Sequence, residues 1–233
     1  LALSVILLAL FFTRLDFRGF YDKNDSEENN TNKNPQLISN KKLIALSTAA
    51  IFLYVGAEVS IGSLMINYLQ LPAIMHLTFD QAASYLSVYW GCAMVGRFLG
   101  FFVLKKTPAA LLLMIYALIN SSLLIGVTLF TGKPAMIALL SIGLFNSIMF
   151  PAIFSITLGQ LPSLNLKNKM SSYLIMAIVG GAVIPLIHGI LADRIGLQNS
   201  FFCLIFCYLY ISFFAYMIMK TPNPLTNKKE LLQ

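Results

Sequence analysis

The sequence predicts an all-α, polytopic transmembrane helical bundle, and three observations carry that prediction. Hydrophobic residues make up 58% of the chain and charged residues 11%, against about 25% charged in a typical soluble domain. Six apolar runs each come close to the roughly 20 residues that a helix needs to cross a hydrocarbon core of about 30 Å. The lysines and arginines behind the net charge of +7 sit in short clusters between those runs. Membrane topology explains such clusters better than nucleic-acid binding, for which no basic stripe with interleaved aromatics is present.

The chain opens on LALSVILLALFF, too short for a whole span and without the charged start and cleavage site of a signal peptide. Residues 1–12 therefore read as the end of a truncated transmembrane helix. Residues 13–42 follow, rich in Asn, Lys, Asp and Glu, and read as a polar loop. The six-helix domain, 43–219, has its spans at 43–70, 81–104, 108–130, 135–159, 169–191 and 198–219, and 220–233 forms a tail. Pro72, Pro108 and Pro134 fall at span ends, whereas Pro151 and Pro185 fall inside spans, where they can kink a helix.

Orientation follows from the distribution of Lys and Arg. With the long loop cytoplasmic, thirteen of the sixteen lie inside, and only Lys133 and Arg194 lie outside. Arg97, within the second span, completes the set, and the asymmetry puts the long loop and the C-terminus on the cytoplasmic side. Polar residues are uneven among the spans. The first carries Glu58, Ser60, Ser63 and Asn67 and the fourth Asn146, Ser147 and Ser155, while the last has almost nothing polar beyond Ser212 and its tyrosines. Helices with polar faces are expected to look inward, and the last span, apolar all round, to face lipid.

Glu58 stands in the middle of a membrane-length run. A carboxylate there costs roughly 2.5–3.5 kcal/mol on insertion scales and faces a bundle interior or a watery cavity. It reads either as a structural group satisfied by neighbouring hydroxyls or an Arg, or as a substrate acceptor or coupling-ion site. Asn67 follows nine residues later, about 180° around the helix, so the two share a face only if the helix breaks at Gly56 or Gly62. Arg97 either snorkels to the inner interface or forms a gating ion pair. Asn146 is a mid-span amide suited to sugar hydroxyls or, slightly favoured in isolation, to an interhelical bond. Tyr54, Tyr85, Tyr89 and Trp90 offer stacking surfaces for a sugar ring. Gly180 and Gly181 allow close helix approach or local unwinding, with packing the commoner reason. His188 reads as a hydrogen-bonded histidine near the outer end of its span.

Enzyme chemistry finds no support in the motifs. There is no GxSxG, HExxH or GxxxxGK[ST] pattern, and His76 and His188 have no evident nucleophile partner. Cys92, Cys203 and Cys207 lie in apolar runs without metal-ligand context, so neither a metal nor a cofactor is expected.

Four segments taken in order, FLYVGAEVSIGSLMINYL, SYLSVYWGCAMVGRFLG, FNSIMFPAIFSITLG and IVGGAVIPLIHGILAD, resemble the C-terminal half of the fucose/galactose/glucose symporter family within the major facilitator superfamily. The resemblance covers about residues 43–219. It implies the six-helix C-terminal half of a twelve-helix transporter of the bacterial inner membrane, with the N-terminal half as its missing partner. It also implies cation-coupled hexose symport, with H⁺ or Na⁺ as coupling ion, and alternating access about a midplane sugar. On this resemblance Glu58, Asn67 and Asn146, with Tyr54 and Tyr89, are expected as sugar contacts and Arg97 as a gate residue. Transport of another small neutral or cationic solute, or a membrane scaffold without transport, are the competing readings.

Overall fold

The computed structural model describes residues 35–161 and 163–220. The helix end expected over 1–12, most of the loop expected over 13–42, and all but the first residue of the tail over 220–233 lie outside the described residues. Within the described residues the structure is helical throughout, with no strand. Six helical stretches are long and apolar enough to cross a membrane: Lys42–Gln70, Phe79–Leu104, Ala109–Leu129, Gly132–Gly159, Leu164–Ile195 and Leu197–Lys220. They match the expected spans to within a few residues, with the fifth longer at both ends.

Helix α1 runs Pro35–Gln70 without interruption. Its start inside the segment read as loop has a local cause: Pro at the first helical position has φ already set and lacks an N–H that would be unpaired there. The turn after α1 ends at α2, Phe79–Leu104. There the Thr78 hydroxyl accepts from the Gln81 amide and the Gln81 side chain accepts from the Thr78 amide, a reciprocal cap. Helix α3, Ala109–Leu129, ends at an unusual cap. The Gln198 amide donates to the carbonyls of Thr128 and Phe130 at 3.2 and 2.8 Å, and the Tyr68 hydroxyl donates to the Val127 carbonyl at 2.7 Å. Carbonyls that a helix end leaves open are thus taken by side chains from the first and last spans.

The fourth span is two helices, α4 (Gly132–Asn146) and α5 (Met149–Gly159), separated by Ser147 and Ile148. Pro151 explains the break. It has no N–H to give to the carbonyl four residues back, that of Ser147, and its place in the first turn of a new helix is where that loss is tolerated. The fifth span comprises α6 (Leu164–Met176), a 3₁₀ turn at Ala177–Val179 and α7 (Gly180–Ile195), which contains Pro185. Gly196, at φ 86°, stops α7 in a conformation that favours glycine. The sixth span is a short helix α8 (Leu197–Ser200) followed by α9 (Phe202–Lys220).

Two close approaches set the packing. A Cβ on Gly180 would collide with the Phe52 carbonyl and one on Gly56 with Ile184, so α1 and α7 touch backbone to backbone. A Cβ on Gly96 would meet the Leu144 carbonyl, and one on Gly143 would lie 2.6 Å from the Tyr89 carbonyl, which locks α2 onto α4. Gly180 therefore serves close packing directly after a local 3₁₀ unwinding.

One expectation is overturned. The last span, expected to face lipid because it is apolar all round, is the most buried of the six, with Leu204, Tyr208, Ile211, Phe214 and Ala215 packed in the core. An all-apolar helix suits a protein interior as well as lipid, and Tyr208 brings its hydroxyl to a polar partner inside. The second and fifth spans are the least covered, with 22% of their apolar windows buried against 44–56% in the other four.

Candidate functional site: a carboxylate cleft backed by a tyrosine–asparagine network

The break after α4 places Asn146 at the centre of the bundle, where it is fully buried. Its side-chain oxygen accepts from the Tyr208 hydroxyl and from the Asn120 amide, each at 2.8 Å. Its amide donates to the Tyr89 hydroxyl at 3.2 Å, and its backbone carbonyl accepts from the Tyr54 hydroxyl at 2.9 Å. One residue thus joins the first, second, third and sixth spans to the fourth. Tyr54 and Tyr89 are buried with it, at 2% and 0% exposure.

This changes the reading of three expected sugar contacts. Asn146, Tyr54 and Tyr89 are buried in this conformation, with their polar groups engaged by one another, by Asn120 and Tyr208 and, for Tyr54, by Glu58. The physical reason is the one that slightly favoured an interhelical bond for Asn146 taken alone: in a water-free interior an amide is held by whichever donors and acceptors the neighbouring helices supply. Asn120 and Tyr208 were missed in the sequence. An asparagine inside an otherwise apolar third span is the signal that points to the first, whereas nothing local distinguishes Tyr208 from its neighbouring tyrosines.

Glu58 lies one helical turn beyond Tyr54 on the same face of α1 and is half-buried. It lines a cleft of about 770 Å³ together with Trp90, Ala93, Met94, Arg97, Phe98, Phe101 and Phe102, a size suited to a small-molecule site. Arg97 is on the same cleft and within electrostatic reach of Glu58. Its Nε donates to the Ser147 carbonyl at 3.3 Å, the acceptor that Pro151 leaves open. The helix break therefore holds the arginine that shares the cleft with the carboxylate. Trp90, 49% exposed, stands edge-on to Tyr89 with ring centroids 5.3 Å apart and forms an aromatic wall. Tyr85 belongs to the half-buried rim of the core.

Asn67 is not brought to this cleft. Because α1 does not break at Gly56 or Gly62, Asn67 stays on the opposite face and about 13 Å further along the axis, where it is exposed. His188 departs from expectation too. It is fully buried, edge-on to Phe201 at 4.8 Å, and neither ring nitrogen has a hydrogen-bond partner among the described residues.

The described residues thus form a six-helix bundle with two interrupted spans, glycine-built crossings and a charged cleft, and the solved structures it matches give this arrangement as one half of a major facilitator superfamily transporter. No protein-family model matches the chain. It is 40% identical over 215 residues to a glucose/galactose transporter of Brucella abortus, and the match covers 92% of this chain and 51% of that protein. A putative glucose/galactose transporter of Helicobacter pylori is 41% identical over 184 residues, covering 77% and 44%. A crystal structure of the Escherichia coli fucose:proton symporter FucP superposes with a TM-score of 0.73 at 28% identity, over 79% of this chain and 45% of that one. A second crystal structure of FucP, a major facilitator superfamily transporter in the outward conformation, gives the same score. The chain is a homologue of glucose/galactose transporters and L-fucose–proton symporters and carries one six-helix half of their fold. It spans about half the length of the curated relatives it matches, and those relatives are transporters, not enzymes.

Proposed function

We propose that this chain forms the C-terminal half of a hexose transporter that works by cation-coupled symport and alternating access, with H⁺ or Na⁺ as the coupling ion. The relatives' names support a glucose-, galactose- or fucose-type sugar as substrate. The observation that carries the reading is the half-buried Glu58 in an aromatic-walled cleft that also holds Arg97. A carboxylate and a guanidinium sharing the cleft leave it without net charge, which suits a neutral polyol better than an ion. Both groups hydrogen-bond hydroxyls, and Trp90 offers a ring face. Glu58 is the sugar acceptor in this reading. Tyr54, Tyr89 and Asn146 are positioning residues behind it, and Arg97 is the gate residue that the helix break holds in place.

The membrane is a bacterial inner membrane, with the long loop and the C-terminus cytoplasmic. The exposed apolar faces of the second and fifth spans, with Met94, Phe98 and Phe102 on one and Leu186, Ile187 and Ile190 on the other, meet a second six-helix half. The doubled length of the relatives supports that partner.

Uptake of radiolabelled D-glucose, D-galactose and L-fucose in transport-deficient bacteria, with the chain joined to the N-terminal half of a relative, tests this. Uptake of one sugar that is lost in Glu58→Gln while the protein stays inserted and folded is the expected result. Full uptake by Glu58→Gln would remove Glu58 from the site, and no uptake of any of the three by the folded, joined protein would remove the sugar.

A further inference from the structure

His188 and Ser60 are buried groups that the cleft and the asparagine network do not use. Both side chains are completely buried, and the Ser60 hydroxyl, like both nitrogens of His188, has no hydrogen-bond partner among the described residues. Apolar surroundings do not tolerate such atoms singly.

The register of α1 against α7 assigns them to the same step of the crossing. Phe52 meets Gly180 and Gly56 meets Ile184 through the atoms at which an added Cβ would collide. Both pairs differ by 128 in sequence number, as expected of two helices running in parallel, each advancing four residues per step along one face. The next step on that face is Ser60 and His188. Each lies four residues beyond the contact below it, and each is buried as the two contacts before it require.

We infer that Ser60 and His188 are a water-bridged pair across the first and fifth spans. One trapped water accepts from the serine hydroxyl and donates its own proton to a ring nitrogen of His188, and the pair closes the glycine-built crossing one turn above Gly56. The Phe201 ring, edge-on to His188 on one side and T-shaped against Tyr68 on the other at 5.1 Å, keeps the pair away from solvent. The arrangement asks for no charge on the histidine, since a neutral imidazole offers the acceptor that the water needs.

Two measurements test the pair, both on the whole chain in membranes or detergent. The first is cross-linking in a background with Cys92, Cys203 and Cys207 replaced by Ala. Ser60→Cys with His188→Cys is expected to cross-link under mild oxidation, as the control Val55→Cys with Gly181→Cys should. Ser60→Cys with Ile187→Cys, whose second site is exposed, should not. Cross-linking of the control alone would overturn the register.

The second is a double-mutant cycle in Tm. If the two are bonded, Ser60→Ala and His188→Phe each strand a buried partner and each lowers Tm by about 2–4 °C, while the double variant recovers most of the loss. His188→Gln, which keeps an acceptor, stays close to the parent. If they are not bonded, each single change removes an orphan polar group and raises Tm, and the effects add. Either a rise in both single variants or additive losses would sink the pair.

Discussion

Replacing Asn146 by leucine removes the residue on which five spans converge, and its cost can be worked from the geometry. The change leaves the Tyr208 hydroxyl, the Asn120 amide and the Tyr89 hydroxyl without their partner, all inside the bundle. Hydrogen bonds between helices in a membrane average about 0.6 kcal/mol in double-mutant cycles, so three of them come to about 2 kcal/mol. That is a Tm loss of about 4–8 °C for a chain of this size. Leucine keeps the branched heavy-atom skeleton of asparagine and is bulkier, so no cavity adds to the figure and any overpacking deepens the loss. The fourth bond, from Tyr54 to the Asn146 carbonyl, is made to the backbone and survives the substitution. The assay is thermal unfolding in detergent, with and without saturating hexose. If the residue serves the helices, Asn146→Leu should lose its several degrees equally in both conditions. A variant that melts within a degree of the parent without sugar, yet loses all stabilisation by sugar, would refute the reasoning and return Asn146 to the sugar.

Three further predictions rest on single contacts. Gly180→Ala should destabilise the chain by about 1–3 kcal/mol, read as lower Tm and membrane yield, because the new Cβ meets the Phe52 backbone, which cannot rotate aside. Gln198→Ala should cost about 1 kcal/mol in the same unfolding assay, since the carbonyls of Thr128 and Phe130 lose their donor at the end of α3. Pro151→Ala restores an N–H that competes with Arg97 for the Ser147 carbonyl. Hydrogen exchange should find the amide at 151 protected, and rapid exchange there would argue against proline as the cause of the break.

The spans were legible because twenty-residue apolar runs and loop charges record the membrane directly, and each predicted boundary rests on that signal. Pro151 was legible as a place where a helix can kink and the glycines at 180 and 181 as places for close approach or unwinding, since their chemistry acts on the backbone of their own segment. Partners across the bundle were not. That Asn146 is met by Asn120 and Tyr208, or that Gln198 caps a helix some seventy residues earlier, depends on which faces the helices turn to each other, and a single sequence does not carry that. The last span shows the limit most plainly. Lipid and protein interior are both apolar, so composition alone could not say which of them covers α9.

Polar side chains in the spans divide into those bonded within the bundle and those left open. Thr48, Ser60 and His188 have buried polar atoms without a partner among the described residues, and many others are committed. Ser121, Ser141 and Thr157 donate to carbonyls one turn back, Asn120 and Asn146 bond each other, and Tyr54, Tyr68, Tyr89 and Tyr208 each find an acceptor or donor on another helix. The cleft offers Glu58, which has the Tyr54 hydroxyl within hydrogen-bonding reach, beside Arg97, which spends one N–H on Ser147 and keeps four. Discrimination among hexoses, worth about 1 kcal/mol per hydroxyl contact, must then come from few groups on this half. Conservative changes at Glu58 should shift sugar preference more than any change in the tyrosine network, whose variants should lower stability while leaving the preference intact.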